Sequence, residues 1–292
     1  MGPKVPKVSI IVVAHNSLPA LSGCLKALDA AVAGIDHELI LVDNASTDRS
    51  AAEAVQLFPL ATVLKNDKNL GFAAACNRGA EVAAGEWLLF LNPDVTIDRD
   101  ALAHLLTAAQ SNENAGLISG RLRNADGSFQ PTCRQFPTIG NIFFSRGSAL
   151  AWLLKRPVTA GVRYTLPDYD QTTAVPAVAA TMVMIKRDLF EQVGRFDTRF
   201  FMYMEDTDLS LRLHQHGRVN LFVPSAGGVH RWGEGTTVGR VRRLLWHHHS
   251  VWKYFLKHFP NGFSVVLLPL LLAANLAIQI VRPSKRARQE AS

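Results

Sequence analysis

The chain has 292 residues, of which 48% are hydrophobic and 19% are charged. This composition excludes an intrinsically disordered protein and is typical of one large globular domain or two modest ones. The three cysteines, Cys24, Cys76 and Cys133, form no CxxC pair, so neither a disulfide framework nor a zinc knuckle is predicted, and a reducing, cytosolic setting is favoured. Met1 to Lys7 leads directly into a strand without the apolar core of a signal peptide.

The positive charge is concentrated in the last quarter of the chain. From Arg218 onward there are eleven Lys or Arg residues and two acidic residues, a net charge of +9 against +7 for the whole chain, so the preceding residues carry −2. Such asymmetry indicates contact with nucleic acid or with an anionic membrane, and a solvated basic face is the alternative.

Strands and helices alternate through the first 120 residues. Apolar, β-branched runs predict strands at 8–14, 38–42, 61–64, 87–91 and 116–119. Helices are predicted at 18–32 and 48–57, from the turn at 69–72 to about 84, and at 99–110. This alternation is typical of βαβ crossovers, so we predict an α/β fold with a mostly parallel sheet.

The second half of the chain is less regular. Residues 124–174 combine turn sequences, scattered aromatic residues and prolines, which predicts loops with short helices. Beyond them the pattern predicts strands at 178–185 and 219–223 and helices at 188–193 and 206–216.

Polar residues follow three of the predicted strands at their carboxyl ends: Asn16, Asp43 with Asn44, and Asp94. Ligands of open α/β sheets bind at that edge, so these residues are expected to share one cleft. Each residue type is also common in loops, and Asn92-Pro93-Asp94 is a turn sequence, so a structural role is the alternative.

Two familiar nucleotide-binding motifs do not occur. No GxGxxG follows the first strand and there is no GxxxxGK followed by Ser or Thr, which removes the main support for a dinucleotide dehydrogenase or a P-loop NTPase. What remains is a site that binds a nucleotide through side chains at strand ends, with a metal on Asp94 against the diphosphate. The Asp43 carboxylate could accept hydrogen bonds from a base or a ribose.

Five segments stand in a fixed order along the chain: VSIIVVAHNS at 8–17, LVDNASTD at 41–48, NLGF at 69–72 with NRG at 77–79, LNPDV at 91–95 and FMYMEDTDL at 201–209. They resemble the family 2 inverting glycosyltransferases of the GT-A fold, and most closely their bacterial rhamnosyltransferase-like branch. The resemblance covers about Val5 to Trp232. It implies a GT-A, Rossmann-like, mostly parallel sheet flanked by helices, a nucleotide-sugar donor, an Mg²⁺ or Mn²⁺ ion and a carboxylate base.

The resemblance also implies roles for individual residues. Asp43 matches the residue that reads the base and ribose, Asp94 the last residue of the DxD-type metal motif, and Asp206 the catalytic base. His230 is similar to the downstream histidine that completes the metal site in related enzymes. The implied donor-binding residues are Ala14, Asn16, Asp43, Asn44, Asn69, Gly71, Asn77, Asn92 and Asp94, and the implied acceptor-binding residues are Glu205 and Trp232.

The metal motif and the acidic motif each carry a qualification. Asn92 replaces the first acid of the DxD motif, and its carbonyl can bind a ribose or a metal but adds no charge. The alternative for Asp206 is that it stabilises a helix N-terminus together with its acidic neighbours. Asp208 is expected to pair with Arg212, four residues later.

Phe263 to Val281 is almost wholly apolar and close to the ~20 residues that cross a bilayer. If it crossed once with the catalytic domain in the cytosol, the basic residues at 282–288 would lie outside, against the positive-inside rule. One helical stripe carries four polar residues: Asn275, Gln279, Arg282 and Arg286. These features predict a helix lying in the membrane interface, or a re-entrant pair bent at Pro269, and a homodimer contact is the alternative.

The predicted function is the inverting transfer of a sugar, such as rhamnose, from a nucleoside-diphosphate sugar to a hydroxyl of a glycan or of a polyprenyl-diphosphate-linked acceptor in cell-envelope polysaccharide synthesis. We expect a GT-A domain at 1–235, with a nucleotide-binding half at 1–120 and an acceptor half at 121–235. Residues 236–292 are expected to form a basic, apolar helical extension on the cytoplasmic face of the bacterial inner membrane, with the catalytic domain in the cytosol. No nucleic-acid partner is expected. An inactive GT-A scaffold and a nucleotidyltransferase are the alternatives.

Overall fold

The structure of the protein is a computed structural model that describes residues 7–143, 163–166, 168–231, 233 and 238–281. The chain divides into two compact units. Within the described ranges the first unit holds residues 7–135, 163–201 and 205–233, and the second holds 136–143, 202–204 and 238–281. The expected boundary between a domain at 1–235 and an extension at 236–292 stays a prediction.

The first unit contains all the described strands. They are β1 (Val8–Ala14), β2 (His37–Asp43), β3 (Thr62–Lys65), β4 (Trp87–Leu91), β5 (Val95–Ile97), β6 (Ala115–Arg123), β7 (Phe129–Gln130), β8 (Cys133–Arg134), β9 (Thr173–Val175), β10 (Ala177–Val178), β11 (Met182–Lys186) and β12 (Val219–His230). The described α-helices are α1 (Leu18–Ala31), α2 (Ser50–Leu57), α3 (Phe72–Val82), α4 (Ala101–Gln110), α5 (Ile139–Phe143), α6 (Arg187–Gln192), α7 (Glu205–Gln215), α8 (Arg240–His258) and α9 (Leu268–Val281). The alternation predicted for the first 120 residues is confirmed.

The main sheet has the strand order β3-β2-β1-β4-β11-β6-β12-β5, with β7 beside β6 and β9 beside β12. The strands β3, β2, β1 and β4 are parallel to one another, whereas β11 runs antiparallel to both β4 and β6. The predicted α/β fold with flanking helices is therefore confirmed. Its sheet is mixed: six strands run in one direction, and β5, β7, β9 and β11 run antiparallel to their neighbours.

The core lies on both faces of this sheet. Alternate residues of β1 point to opposite faces, so Ile10 packs with the buried side chains of α1 and α4, while Ile11 packs with those of α3, α6 and α7. Since both faces of the sheet are covered, its central strands are continuously apolar. For this reason the sequence predicts the bounds of β1 and β4 correctly.

The last parallel strand is longer than the sequence predicts. A strand was expected at 219–223, but β12 continues to His230 after a register shift between Val223 and Gly227. Pro224 has no N–H for a ladder hydrogen bond, and a bulge accommodates it without ending the strand. The continuation pairs His230 with Val95 of β5.

The single strand predicted at 178–185 is two separate strands, so that prediction is wrong. Between β10 and β11, the Ala179 N–H donates to the Thr132 carbonyl and the Ala180 N–H donates to the Asp206 carboxylate. These two N–H groups therefore make no strand-to-strand hydrogen bond with β4 or β6, and they hold the loop beside Asp206 instead.

Within the second unit, α8 and α9 form an antiparallel hairpin. A π-helical turn, Phe263–Leu267, continues directly into α9, whose second residue is Pro269, and the predicted bend at this proline stays a prediction. Arg240 donates to the Gln279 carbonyl, and the Asn275 amide donates to His248 Nε2 at 2.9 Å. Asn275, from the predicted polar stripe, thus faces α8, whereas Gln279 contributes only its backbone carbonyl, and Arg282 and Arg286 lie outside the described residues.

Candidate active site

Three neighbouring parallel strands bring the predicted polar residues to one edge of the sheet. The strands β2, β1 and β4 are adjacent, with Ala14 paired to Asp43 and Val12 paired to Leu91. Asn16, Asp43 and Asp94 therefore all lie at or just beyond the carboxyl ends of these strands, where open α/β sheets bind ligands.

The loops after β1 and β2 are joined by side-chain hydrogen bonds. Asn16 has a positive φ of 54°, which asparagine tolerates well, and its Oδ1 accepts from the Thr47 N–H at 2.7 Å. Asp43 is buried, and its Oδ1 accepts from the Ser46 N–H at 2.9 Å. The carboxylate is thereby fixed at the strand end, next to the Ala14 carbonyl, which accepts from the Asn44 N–H.

Asn44 organises the next loop from a buried position. Its Oδ1 accepts from the Asn66 amide and from the Leu70 N–H, each at 2.9 Å. Its Nδ2 donates to Asn69 Oδ1 at 2.9 Å and to the Gly71 carbonyl at 3.3 Å. Both ends of the amide have protein partners, so the side chain shapes the 66–71 loop, and direct contact with the donor stays a prediction.

Asn77 and Gly71 connect α3 to later parts of the first unit. Both amide atoms of Asn77 bond to the backbone of Phe196, at 2.8 and 3.1 Å. Gly71 has φ +84°, and the N–H of Phe72 beside it donates to the Phe201 carbonyl at 2.8 Å. These contacts hold the loop before α3 against the segment that leads to Glu205.

Asp94 and His230, 136 positions apart in the sequence, are in contact. The distance from Asp94 Oδ1 to His230 Nε2 is 3.2 Å, and both side chains are more than nine-tenths buried. The other ring nitrogen, Nδ1, lies 2.6 Å from Gln130 Oε1, while the Gln130 amide donates to Asn124 Oδ1. Because Gln130 Oε1 is an acceptor, Nδ1 of His230 carries a proton and donates to it, and Nε2 is the ring nitrogen that faces the Asp94 carboxylate.

The chemistry of this pair fits a divalent cation. Among the described residues no group of three or more His, Cys, Asp or Glu side chains is arranged to hold a metal alone. Mg²⁺ is usually bound by one or two protein carboxylates together with substrate phosphates and water, so two protein ligands are sufficient. Asn92, which precedes them at the same strand end, is partly exposed and makes no side-chain hydrogen bond within the described part of the chain.

The two acids at the start of α7 have different environments. Asp206 is partly exposed, and its Oδ1 accepts from the Thr207 N–H at 2.6 Å while Oδ2 accepts from the Ala180 N–H at 3.2 Å. Glu205 is buried, and its Oε2 has no hydrogen-bond partner among the described residues. Burial, reinforced by the negative charges of Asp206 and Asp208, raises the pKa of Glu205 well above its ordinary value.

Asp208 forms the ion pair predicted from its spacing. Arg212 lies 2.9 Å from the buried Asp208 carboxylate and also donates to the carbonyls of Val193 and Arg195. This pair anchors α7 in the first unit, so the Asp208 carboxylate serves a structural ion pair.

Two contributors to the site carry no motif in the sequence. Gln130 orients His230, and the Ala180 N–H orients Asp206; neither lies in a recognisable pattern, because both reach the site through strand pairing and loop geometry. Trp232, expected to contact the acceptor, lies outside the described residues.

A glycosyltransferase of the GT-A fold is the class of protein that this sheet and this edge define, and comparison with known proteins agrees. Residues 9–194 match the family model described as glycosyl transferase family 2. The chain is 32% identical, over 95% of its own length and 94% of the relative's, to the N-acetylglucosaminyl-diphospho-decaprenol L-rhamnosyltransferase of Mycobacterium tuberculosis. It also shares 30% identity over 73% of its length with an O-antigen biosynthesis protein of Myxococcus xanthus, of which it spans 16%.

Solved structures share the fold at lower identity. A mannosyltransferase from Pyrobaculum calidifontis, in complex with GDP-mannose and Mn²⁺, superposes with a TM-score of 0.60 at 19% identity, covering 99% of this chain and 79% of that one. GalNAc-T7 with UDP, GalNAc and Mn²⁺ gives 0.59 at 17% identity, covering 93% and 55%. The chain belongs to glycosyl transferase family 2, and it is a nucleotide-sugar-dependent glycosyltransferase similar to a mycobacterial rhamnosyltransferase.

Proposed function

We propose that the protein transfers rhamnose, with inversion, from a nucleoside-diphosphate rhamnose to a hydroxyl of the N-acetylglucosamine in a diphospho-polyprenol acceptor. The observation that carries this proposal is the similarity to the mycobacterial rhamnosyltransferase, which extends over almost the whole of both chains. The polar edge of the sheet supplies the groups that such a reaction requires.

The donor diphosphate is proposed to lie at Asp94 and His230. These residues would hold an Mg²⁺ or Mn²⁺ ion, as the Mn²⁺ in two solved structures of this fold supports. When bound, such an ion neutralises the charge that develops on a nucleoside-diphosphate leaving group. Gln130 keeps Nε2 of His230 directed at Asp94, and Asn92 adds a neutral amide at the same strand end.

The nucleoside is proposed to lie over the strand ends of β1 and β2. Asp43 accepts hydrogen bonds from the base or the ribose, since an ionised carboxylate is an acceptor only. Ala14 and Asn16 line this part of the edge, and the 66–71 loop, shaped by Asn44 and Asn69, closes its far side.

Asp206 is proposed to be the general base. Its carboxylate is fixed by two backbone N–H groups and remains partly exposed, so it can take the proton of the acceptor hydroxyl as that oxygen attacks the anomeric carbon. A single displacement of this kind inverts the anomeric centre, by the same logic as in inverting glycosidases. Glu205 and Trp232 stay proposed as acceptor contacts.

The lipid-linked acceptor places the reaction at a membrane, and we propose the cytoplasmic face of the bacterial inner membrane. Phe263–Val281 is the one described helix that is long and apolar enough to cross a bilayer, and 17% of that segment is buried. Its exposed apolar residues include Val266 and Leu270. A helix with one such face can lie in the membrane interface.

Donor binding tests this assignment. Isothermal titration of the full chain with dTDP- and UDP-linked sugars, with Mn²⁺ and with EDTA, is expected to show metal-dependent binding that Asp94→Ala abolishes. Asp100→Ala is the matched control, because Asp100 is an exposed carboxylate six residues away whose side chain makes no capping hydrogen bond. Equal donor affinity in EDTA and in Mn²⁺ would contradict the metal assignment.

A further inference from the structure

A cavity of about 390 Å³ lies in the first unit, and none of the residues proposed to bind the donor, the metal or the acceptor lines it. It is lined by Arg121, Arg123, Gly127, Phe129, Tyr169 and Asp170. Its volume is in the lower part of the range for small-molecule sites in proteins. Arg121 and Arg123 come from the carboxyl end of β6, which is parallel to the neighbouring β12 that carries His230.

The charges at this cavity are balanced. Arg121 pairs with Asp170 at 2.7 Å, and Arg123 donates to both oxygens of Asp98, at 2.7 and 3.0 Å. A phosphate or diphosphate requires a surplus of positive charge, which these pairs remove. The cavity is therefore better suited to a neutral ligand than to an anion.

The remaining lining offers an apolar wall and a hydrogen-bond donor. Phe129 and Tyr169 form an edge-to-face pair with ring centroids 4.8 Å apart. A guanidinium has five N–H donors, and the bond from Arg121 to Asp170 uses one of them, so this partly exposed side chain retains donors. Small-molecule sites combine aromatic surface with a few placed polar groups. A sugar ring, with an apolar face and a rim of hydroxyls, matches this combination.

One short segment connects the cavity to the proposed catalytic groups. Phe129 lines the cavity, Gln130 bonds to His230, and the Thr132 carbonyl accepts from Ala179, whose neighbour Ala180 donates to Asp206. An extended chain advances about 3.3 Å per residue, so the path from Phe129 to Thr132 spans about 10 Å at most. The cavity therefore borders the segment that orients His230 and that leads to the loop beside Asp206.

We propose that this cavity, centred on Arg121 and Tyr169, binds the acceptor's amino-sugar ring and so determines which sugar accepts the transfer. The inference rests on the proposed function, because it takes the acceptor to be a glycan-bearing lipid. Tyr169 packs against the ring, and the Arg121 guanidinium donates to one of its oxygens. Neither residue takes part in the proton transfer; both position the acceptor.

Kinetics of the full chain with Mn²⁺, a rhamnose donor and a short-chain N-acetylglucosaminyl-diphosphate lipid test this role. Tyr169→Ala and Arg121→Gln are each expected to raise the acceptor KM about tenfold or more, with donor affinity and donor hydrolysis by water unchanged. Arg195→Gln is the matched control, because Arg195 is also paired with carboxylates and has a similar side-chain exposure, 32% against 28%, outside the cavity. Melting temperatures identify any variant that fails to fold. If one of the two cavity variants fails, the acceptor KM of the other tests the assignment.

A second readout is independent of turnover. Saturation-transfer NMR with methyl N-acetyl-β-glucosaminide is expected to give a signal with the unmodified chain and with Arg195→Gln, and to lose it with Tyr169→Ala. Normal transfer with an unchanged acceptor KM in both cavity variants would overturn the cavity assignment and leave the proposed function intact. No transfer to any lipid-linked acceptor, with glycoside binding that still depends on Tyr169, would overturn the proposed function alone.

Discussion

Glu205 and Asp206 are adjacent carboxyl groups that the fold treats differently. Glu205 is buried, and burial with nearby negative charge raises its pKa, whereas Asp206 is partly exposed and accepts two backbone hydrogen bonds. Two neighbouring acids in unlike environments commonly divide the acidic and basic roles of a site. Of the two carboxyl groups, Asp206 is the one that is accessible and oriented by the backbone, which supports its proposed role as the base.

Asp206→Asn preserves the size of the side chain but removes its ability to accept a proton. We expect kcat to fall roughly 10²–10⁴-fold, the usual contribution of a general base. Donor affinity, measured by titration calorimetry, should remain within about twofold. Normal turnover of Asp206→Asn together with a large loss in Glu205→Gln would move the base one residue earlier.

Glu205→Gln is expected to change how stability depends on pH. The raised pKa means that the folded protein binds the Glu205 proton more tightly than the unfolded chain does. This contribution is fully present below the ordinary glutamate pKa, and it is lost as pH rises towards the folded-state value. The melting temperature of Glu205→Gln relative to the unmodified chain should therefore increase between pH 5 and pH 8, and parallel curves over that range would contradict the prediction.

The residues to which the sequence assigns roles are those that belong to motifs, and the roles themselves stay predictions. Asp43, Asp94 and Asp206 stand in recognisable segments. The sequence also predicts that Asp94 and His230 share a site, and the two side chains are in contact in the structure. Gln130 could not be predicted, because its contact with His230 depends on how β7 pairs with β6. Nor does a motif show that both ends of the Asn44 and Asn77 amides are occupied by protein groups.

Among the elements, β12 is the strand that brings His230 to Asp94, where we propose the metal binds. The pattern up to Val223 predicts a strand, and Pro224 predicts its end. Instead, the strand continues beyond a bulge and pairs with β5. His230 then lies opposite Val95, the residue that follows Asp94 in the chain. Hydrophobic periodicity reports burial but carries no information on bulges, so the elements could be predicted and this extension could not.

The loop at 69–72 depends on a glycine for two reasons. Gly71 has φ +84°, and a Cβ there would overlap the Phe201 carbonyl oxygen, which is backbone and cannot rotate away. Gly71→Ala should lower the free energy of unfolding by roughly 2 kcal/mol or more, from backbone strain and overpacking together. Chemical denaturation of the purified variant measures this loss.

Gly34→Ala is the matched control for this change. Gly34 has a similar φ of +77°, but a Cβ there meets no atom within 4 Å, so only the backbone strain of about 1 kcal/mol should appear. Gly71→Ala should also weaken donor binding, because the Gly71 carbonyl bonds to Asn44. Equal destabilisation by the two substitutions would show that the close approach to Phe201 does not matter.

At the scale of the whole molecule, the basic charge and the apolar helix lie in the same part of the chain. We expect the full chain to sediment with anionic vesicles, because each basic residue near such a surface contributes about 1 kcal/mol. Removing the residues after Pro260 should release it, while donor binding by the first unit persists. Binding that weakens in high salt indicates a helix in the interface, and salt-independent sedimentation would contradict that orientation and indicate insertion.

A substitution in the full chain separates loss of the membrane contact from loss of the hairpin. Val266 and Leu270 are 64% and 63% exposed, so Val266→Asp with Leu270→Asp should leave the fold intact and reduce vesicle binding. Leu60→Asp, at a leucine that is 98% exposed in the first unit, is the control and should bind as before. Undiminished binding of the double variant would exclude this helix as the membrane contact.

The proposed reaction is the transfer of rhamnose from a nucleotide donor to a lipid-linked amino sugar. The most direct measurement is incubation of the full chain and Mn²⁺ with dTDP- or UDP-linked rhamnose and an N-acetylglucosaminyl-diphosphate lipid, followed by mass spectrometry and NMR of the product. We predict a product one deoxyhexose larger, with the anomeric configuration opposite to that of the donor. Transfer with retention of configuration, or nucleotidyl transfer in place of sugar transfer, would contradict it.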